Sequence, residues 1–440
     1  MKKTMRLALA TGLLVLGSSA WWAVAQQPAG APATRGSAAA ASAAISSSGP
    51  VVTVAGMPPV PDRNNLYSET ASGRMSAAVA GALVRVYVPN RGANTVSVID
   101  PETLKVLATF PVGINPQHIV PSWDLRTLYV ANNAEGRRDG SLTPIDPLTG
   151  KPGKNAPVDD PYNMYWTPDG KEAIVVAEAH KRLDFRDPVT LKLKSSLATP
   201  QCGGINHADF SIDGRYVFFT CEFAGSVTKI DLEARKVLGT LRLSRYYARP
   251  EVLAVIDRPG RKPVKLPDPS GAGEICTTPG MPQDIRASPD GKRFYVADMM
   301  ADGVHVIDGE SFTQIGFVPT GVGAHGLYPS RDGKRLYVAN RGSNLVRGKP
   351  HGPGSISVID FASGQVVQTW PIPNGGSPDM GNVSADGKYL WLSGRYDDEV
   401  YRIETTTGAV DRVPVGKEPH GLTVWPQPGR YSLGHTGNLR

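Results

Sequence analysis

The sequence predicts an all-β protein that folds as a seven-bladed β-propeller, and three observations support this prediction. First, the 440 residues include 48 Gly and 38 Pro, and strand-forming Val, Ile, Thr and Tyr come in short bursts. Such a composition is typical of many short strands joined by turns. Second, a turn of the type Ser-Pro-Asp-Gly recurs along the chain. Third, two kinds of strand follow each turn in a fixed order.

The recurring turn has Asp followed by Gly at its tip. Asp accepts hydrogen bonds from its own backbone, and Gly accommodates a positive φ, so both residues favour tight turns. Copies of the turn lie at residues 167–170, 211–214, 288–291, 330–333 and 384–387.

The strand after each turn is apolar, and the next one ends in Ile-Asp or a close variant. The apolar strands lie at 128–132, 173–179, 216–222, 294–299, 336–340 and 390–395. The following strands end at Asp100, Asp146, Asp184, Asp231, Asp308, Asp360 and Glu404. A four-stranded unit repeating about every 40–50 residues is typical of a propeller blade. A ring of such blades buries the sheet faces, and joining the first blade to the last removes the free ends.

Seven copies of the Ile-Asp strand predict seven blades, with eight as the alternative. The first repeat begins with its second strand, whereas residues 420–426 (HGLTVWP) follow the last complete repeat. We therefore expect the C-terminal strand to complete the N-terminal blade. Residues 430–435 resemble one more second strand. They could add an edge strand, or begin an eighth blade that residues 51–83 complete.

The phrases YVAN, VSVID, SPDGKR and PVG, spread over roughly residues 84–426, resemble the YVTN-type propeller repeat of exported bacterial and archaeal proteins. Residues 159–163 and the tail 434–440 resemble a bacterial subgroup of these proteins with no agreed activity. The repeat is also similar to the haem d1 propeller of nitrite reductase and to the heavy-subunit propeller of quinohaemoprotein amine dehydrogenases. These resemblances imply a fold. A Cys-x-x-Cys-His motif for c-type haem is missing from the sequence, which argues against a haem-bearing enzyme.

Residues 1–25 are predicted to be a signal peptide, because a basic start and an apolar run precede the cleavage site Ala23-Val24-Ala25. A retained membrane anchor is the alternative, but the apolar run is shorter than the roughly 20 residues of a span. Residues 26–50 are predicted to be a flexible leader rich in Ala, Ser and Gly. Residues 51–440 would form a single propeller domain with an insertion at 241–280. The predicted location is periplasmic or secreted, with no membrane span after cleavage.

Charge and motifs exclude several classes of function. The formal net charge of +7 falls to about +4 without the signal peptide, and no basic run is interleaved with aromatic residues, so nucleic-acid binding is not expected. The sequence contains no HExxH, Walker or G-x-S-x-G motif.

A polar residue is predicted to open the inner strand of every blade. Inner strands line the central channel of a propeller, so these residues could form a ring at one mouth of it. The seven residues are His118, Asn163, His207, Asp284, His325, Asp379 and His420. Copper or zinc would use His118, His207, His325 and His420, whereas calcium would use Asp284, Asp379 and carbonyl groups. The alternative is structural: each residue would hydrogen-bond the backbone of the neighbouring blade.

The long connections are predicted to lie on the same face as this ring. They are residues 133–140, 241–280 and 342–354, and loops on a rigid scaffold are frequent binding sites. The insertion at 241–280 is rich in Arg, Lys and Tyr. It is either a solvated loop or a docking surface for an anionic partner. Its basic and aromatic residues are Arg242, Arg245, Tyr246, Tyr247, Arg249, Arg258, Arg261, Lys262 and Lys265.

The three cysteines predict one disulfide. Cys221 returns opposite residue 204 in its hairpin, so Cys202 is its nearest candidate and Cys276 competes for it. The remaining thiol would be inert and buried, or a metal ligand.

These observations favour a non-catalytic binding or scaffold protein that uses the loop-bearing face and the channel mouth for a partner protein or a small ligand. The alternative is an enzyme at the channel mouth, either a lactonase-like hydrolase or a metal-dependent or haem-d1-like redox protein.

Overall fold

The computed structural model describes residues 49–135, 137–248, 265–267, 274–276, 280–435 and 437–440. The predicted signal peptide and nearly all of the leader lie outside these residues, as does most of the 241–280 insertion. Residues 50–440 form one compact unit. Within the described ranges, the only helices are two 3₁₀ turns, Ser68–Thr70 and Ala77–Val79, and no helix could span a membrane.

The described strands form seven blades, each built on a four-stranded antiparallel sheet. Blade 1 contains β1 Arg85–Asn90, β2 Thr95–Ile99 and β3 Val106–Pro111. Blade 2 contains β4 Pro116–Pro121, β5 Leu128–Asn132, β6 Ser141–Asp146 and the short strands β7 Lys151–Pro152 and β8 Ala156–Pro157. Blade 3 contains β9 Pro161–Trp166, β10 Ala173–Ala177, β11 Arg182–Arg186 and β12 Leu193–Ala198. Blade 4 contains β13 Ile205–Phe210, β14 Tyr216–Cys221, β15 Ser226–Asp231 and β16 Lys236–Arg242.

The insertion that follows contributes a separate pair, β17 Lys265–Pro267 and β18 Glu274–Cys276. Blade 5 contains β19 Pro282–Ala287, β20 Arg293–Asp298, β21 Gly303–Asp308 and β22 Thr313–Pro319. Blade 6 contains β23 Ala324–Pro329, β24 Arg335–Asn340, β25 Ser355–Asp360 and β26 Gln365–Pro371. Blade 7 contains β27 Pro378–Val383, β28 Tyr389–Gly394, β29 Glu399–Glu404 and β30 Val410–Pro414. The last strand is β31 Thr423–Trp425.

Strand β31 closes the ring by joining blade 1 as its innermost strand. Thr423 pairs with Tyr87 and Trp425 with Arg85, so the sheet order is β3-β2-β1-β31. Strands near the axis also join each blade to the next around the ring, from the contact of β1 with β4 to that of β27 with β31. Both the predicted closure and the choice of seven blades over eight are confirmed.

The core of the propeller lies between the blades. Side chains of one sheet pack on those of the next, as when Tyr165 of β9 meets Phe210 and Phe219 of blade 4 at ring-centroid distances of 6.2 and 5.5 Å. The recurring turn also has the expected geometry. Ser330 Oγ donates to Asp332 Oδ1 at 2.6 Å, and Gly333 has a φ of 67°.

The predicted disulfide between Cys202 and Cys221 is confirmed. It joins the segment before β13 to the end of β14, with the two Cα atoms 4.8 Å apart. The side chain of Cys276 lies outside the described part of the structure, so the role predicted for the third thiol is not addressed.

The two faces of the ring differ. We call the face where inner strands begin and second strands end the mouth, and the opposite face, which carries the Ser-x-Asp-Gly turns, the floor. Residues before blade 1 cover the floor. Val54 N donates to Asp213 O, and Leu66 N donates to Pro289 O.

The C-terminal tail closes the axial channel at the floor. Gly434 bridges Tyr165 on β9, Asn438 Nδ2 donates to Ala208 O on β13, and Arg440 Nη2 lies 2.7 Å from Asp209 Oδ1. Residues 430–435 are therefore not a second strand of any blade. Instead, they find their backbone partner at the edge of β9 that faces the channel.

Candidate functional site

The strand registers place the seven predicted site residues in two layers instead of one ring. In β4, Pro116 pairs with Asn132 and His118 pairs with Ala131, so Gln117 is the extra residue of a bulge. In β23, Ala324 pairs with Asn340 and Gly326 with Ala339, so His325 occupies the bulge position. The other inner strands have this bulge at the same place, so the two layers arise because His325 and Asp379 lie one residue further from the turn that follows than His118 does.

The layer nearer the mouth contains His325, Asp379 and His420, and the deeper layer contains His118, Asn163, His207 and Asp284. Blades 6 and 1 carry glycine in the deeper layer. A Cβ at Gly421 would fall against Nδ1 of His118. The small residue therefore leaves the space that the His118 ring occupies.

One of the predicted residues, Asp284, bonds the backbone of the neighbouring blade, which is the structural role that was the alternative, whereas Asn163 bonds only its own strand. The Asp284 carboxylate accepts hydrogen bonds from Ile285 N at 2.9 Å and from Leu327 N of the next blade at 3.0 Å. Asn163 accepts from Met164 N at 2.8 Å. Asp284 links neighbouring inner strands, and neither side chain belongs to the group of histidines described next.

A histidine that the sequence analysis missed completes a buried cluster in the channel. The tail places His435 against His118, with ring centroids 3.9 Å apart, and His207 lies 5.2 Å from each of them. Taking one nitrogen from each ring, the three nitrogens lie within 4.8 Å of one another. We call His118, His207 and His435 the three-histidine site. The ring of His420 lies 4.6 Å from that of His118.

Five of the six ring nitrogens of the three-histidine site lack a hydrogen-bond partner in the described structure. Among the residues that the structure describes, none bonds Nδ1 or Nε2 of His118, Nε2 of His207, or either ring nitrogen of His435. Buried polar atoms are nearly always hydrogen-bonded, so five such atoms at one point are unusual. Burial, reinforced by the neighbouring imidazoles, lowers the pKa of all three histidines well below the usual 6.5. The rings are therefore neutral, which is the form that binds metals.

A hydrogen bond orients one ring of the three-histidine site, His207, and another orients the neighbouring ring of His420. His207 Nδ1 lies 3.1 Å from Asn206 Oδ1, so Nδ1 carries the proton and Nε2 keeps its lone pair for the cluster. Asn206 in turn donates to Glu222 Oε2 at 3.1 Å. His420 Nδ1 lies 2.6 Å from Asp379 Oδ2. Metal-binding histidines typically have such a partner on the nitrogen away from the metal.

Asp379 holds the mouth side of the cluster together. Its Oδ1 lies 2.7 Å from Arg341 Nη2 and 3.0 Å from His325 Nδ1, while Oδ2 bonds His420. Burial alone would raise the pKa of Asp379, but Arg341, followed by His325 and His420, holds it well below 3.8. The carboxylate is therefore charged and shared among these neighbours.

In each blade, one residue directly follows the second strand. We call these seven residues, which surround the mouth, the collar. Arginines occupy the collar on blades 6, 7 and 1, and glutamates occupy it on blades 3 and 4. In chain order the collar consists of Arg91, Asn133, Glu178, Glu222, Met299, Arg341 and Arg395. Burial raises the pKa of both glutamates, and the Glu222 carboxylate raises that of Glu178 further. The collar therefore has a basic side and an acidic side. These positions could be found from the repeat pattern in the sequence, because each comes directly after a YVAN-type strand.

The donor set fits some metal ions better than others. Neutral imidazole nitrogen suits zinc and copper, whereas calcium needs several oxygen ligands. The two carboxylates predicted for calcium are engaged, Asp284 by backbone amides and Asp379 by Arg341 and His420. Tetrahedral zinc with Zn–N of about 2.0–2.1 Å places its ligand nitrogens about 3.4 Å apart. The ligand nitrogens of the three rings lie within 4.8 Å of one another, so they would have to approach further to bind such an ion.

The lowered histidine pKa values predict that acid destabilises the metal-free protein. Unfolded histidine titrates near 6.5, so below that pH the unfolded state binds protons that the folded state refuses. The contribution of the neutral histidines to the free energy of unfolding is therefore fully present above pH 6.5 and is lost as the pH drops. The raised pKa values of Glu178 and Glu222 have the opposite effect on the pH dependence of stability. A comparison of wild type with a histidine variant cancels that effect and isolates the histidine contribution.

We expect wild type to lose about 1.4 kcal/mol more unfolding free energy than His435→Gln between pH 7.5 and 5.5. Urea titrations of both proteins in chelator measure this difference. Equal losses in the two proteins would mean that His435 is protonated in the folded state.

Fold and site define this chain as a seven-bladed β-propeller with a buried histidine cluster in its axial channel. A family model described as YNCE-like beta-propeller matches residues 272–428. No curated protein matches the sequence at a significant level.

Solved structures share the fold at low sequence identity. Periplasmic gluconolactonase PpgL of Pseudomonas aeruginosa is 20% identical, with a TM-score of 0.54 over 77% of this chain and 98% of that one. Dihydro-heme d1 dehydrogenase NirN in complex with DHE is 15% identical, with a TM-score of 0.51 over 81% and 77%. Hydrazine synthase of Kuenenia stuttgartiensis is 17% identical, with a TM-score of 0.51 over 78% and 94%. The predicted similarity to a haem d1 propeller is thus confirmed at the level of the fold.

Proposed function

We propose that the protein is an exported β-propeller that binds one zinc or copper(II) ion through His118, His207 and His435. The observation that carries the proposal is the convergence of five unpaired imidazole nitrogens in a buried part of the channel. Leaving such atoms without partners costs free energy, and a bound cation would recover it.

A fourth histidine on blade 5 shows how this chain treats an imidazole that serves structure. His305 is fully buried, like the three-histidine site. Its Nε2 lies 3.1 Å from Asp298 Oδ2, and its Nδ1 lies 2.9 Å from Gln314 Nε2. Both nitrogens are satisfied. The difference between His305 and the three-histidine site supports a ligand role for the latter.

Three imidazoles leave a coordination position for a further ligand. When bound, the metal would supply Lewis acidity at that position. A protein that only binds a small ligand needs no group beyond the metal and its open coordination position. An enzyme would also need an acid or base, and Glu178 and Glu222 are the collar groups with suitably raised pKa values. Binding is the function that the geometry supports best.

Docking of a partner protein on the 241–280 insertion stays a prediction, because most of that segment lies outside the described residues. The same applies to export, for which the predicted signal peptide and the Cys202–Cys221 disulfide are the supporting features.

Metal analysis of the purified protein tests the proposal. We expect EDTA-treated protein to take up one zinc or copper per chain on reloading. Bound metal should raise the unfolding free energy by about 2.7 kcal/mol at a free concentration 100 times Kd. Copper should bind more tightly than zinc, and calcium and magnesium should have no effect. A folded protein that takes up neither zinc nor copper stoichiometrically would disprove the proposal.

A further inference from the structure

We propose that the channel mouth binds a small carboxylate, with its carboxylate group on Arg395 and its other end toward Glu178 and Glu222. This names the class of ligand for the site proposed above. The contacts that carry it are made by the collar and not by a metal, so it can be tested on metal-free protein.

The three collar arginines occupy equivalent positions on adjacent blades, yet they are paired very differently. Arg91 bonds Glu135 and lies 2.6 Å from Glu418. Arg341 donates to Asp379 and also lies against His325 and Tyr396. The charge of each is compensated locally.

Arg395 is the exception. Its side chain is only 9% exposed, and its nearest carboxylate oxygen is Asp379 Oδ2 at 4.0 Å. Nη1 is buried without a hydrogen-bond partner in the described parts of the chain. Asp379 is already engaged by Arg341 and His420. One carboxylate therefore faces two guanidinium groups.

An unpaired guanidinium in a buried position is costly, and burial lowers its pKa. An oxyanion would remove that cost, and the planar fork of arginine matches a carboxylate with two parallel hydrogen bonds. Arg395 Nη1 lies 4.0 Å from Asp379 Oδ2, which bonds His420, and the His420 ring lies 4.6 Å from that of His118. A carboxylate on Arg395 would therefore lie at the edge of the cluster.

The acidic side of the collar selects among anions. Glu178 and Glu222 lie on blades 3 and 4, across the ring from Arg395 on blade 7. Tyr162 on β9 packs against His118 with ring centroids 5.2 Å apart, and burial, followed by both glutamates, raises its pKa. A dianion such as phosphate would be repelled by the glutamates. A monocarboxylate whose other end donates hydrogen bonds, through a hydroxyl or amino group, would satisfy both sides.

Calorimetric titration of the EDTA-treated protein with acetate, glycerate and inorganic phosphate tests the inference. We expect both carboxylates to bind, glycerate more tightly than acetate, and phosphate to bind more weakly than either. Arg395→Gln should weaken carboxylate binding roughly tenfold to hundredfold, because a charge-assisted bidentate contact is lost. Arg395→Lys should lie between wild type and Arg395→Gln. The surface variant Arg335→Gln, from an arginine 43% exposed on β24, should bind like wild type.

Thermal unfolding of the same variants separates a binding role from a structural one. Removing an unpaired buried charge should leave the melting temperature of Arg395→Gln equal to or above that of Arg335→Gln. A clearly lower value would identify Arg395 as structural and overturn the inference. So would equal carboxylate binding by wild type and Arg395→Gln, binding that appears only after zinc loading, or a preference for phosphate. Failure to bind zinc, with carboxylate binding intact, would overturn only the metal proposal.

Discussion

Replacing His435 by glutamine should reduce the affinity for zinc or copper more than any other change in the tail, while barely altering the fold. The three-histidine site would keep two ligands, and loss of a ligand should exceed the roughly 10- to 100-fold cost of losing an outer-shell partner. Without metal the His435 imidazole has no described hydrogen bond to lose, so the unfolding free energy should change little. Metal titration and urea unfolding in chelator measure the two quantities.

His305→Gln is the matched control, because that ring is equally buried but hydrogen-bonded on both sides. We expect the opposite result: unchanged metal affinity and a loss of about 1–3 kcal/mol, since Asp298 and Gln314 would lose their partner. If His435→Gln destabilises the protein as much as His305→Gln and leaves metal binding intact, the three-histidine site is structural.

Asp379→Asn should be among the most destabilising single substitutions in the chain. The carboxylate is fully buried, it is the counter-charge bonded to Arg341 and the acceptor for His420, and it is also the nearest carboxylate to Arg395, at 4.0 Å. Removing one partner of a buried ion pair leaves uncompensated charge and costs about 3–5 kcal/mol. Urea unfolding at pH 7.5 measures the loss. The lowered pKa of Asp379 means that its contribution persists at pH 5 and declines only below its unfolded pKa of about 4.

The surface pair of Arg402 and Asp411 provides the comparison. The two groups are 2.6 Å apart, but half of the Asp411 side chain is exposed. Asp411→Asn should therefore cost less than about 1 kcal/mol. A loss of that small size in Asp379→Asn would mean that water reaches the mouth layer and screens the buried charges.

The fold was predictable because its signals are local and repeated. The Asp-Gly turns, the YVAN-type strands and the Ile-Asp strand ends each reflect backbone preferences or burial within one blade. Even ring closure followed from a local observation, namely that residues 420–426 supply an inner strand that the first repeat lacks. The Cys202–Cys221 pair was predictable for the same reason, because it lies within one hairpin.

The arrangement of the site was not predictable to the same extent. His325, Asp379 and His420 lie one residue nearer the start of their inner strands than His118 and His207, and this difference puts them in a different layer. The spacing to the following turn shows the offset of His325 and Asp379, but it does not show which side chains each layer meets across the channel.

The repeats are sufficient to predict the blade, its number of copies, the strand that closes the ring and four of the histidines near the axis. Which histidines meet depends on the three-dimensional arrangement of the blades, since His118 and His207 come from separate blades and His435 from the tail. The same arrangement neutralises Arg91 and Arg341 but not Arg395. The physical reason is distance along the chain. Turns and strands are stabilised by neighbours in sequence, but the contacts of a buried charge or imidazole come from several blades at once.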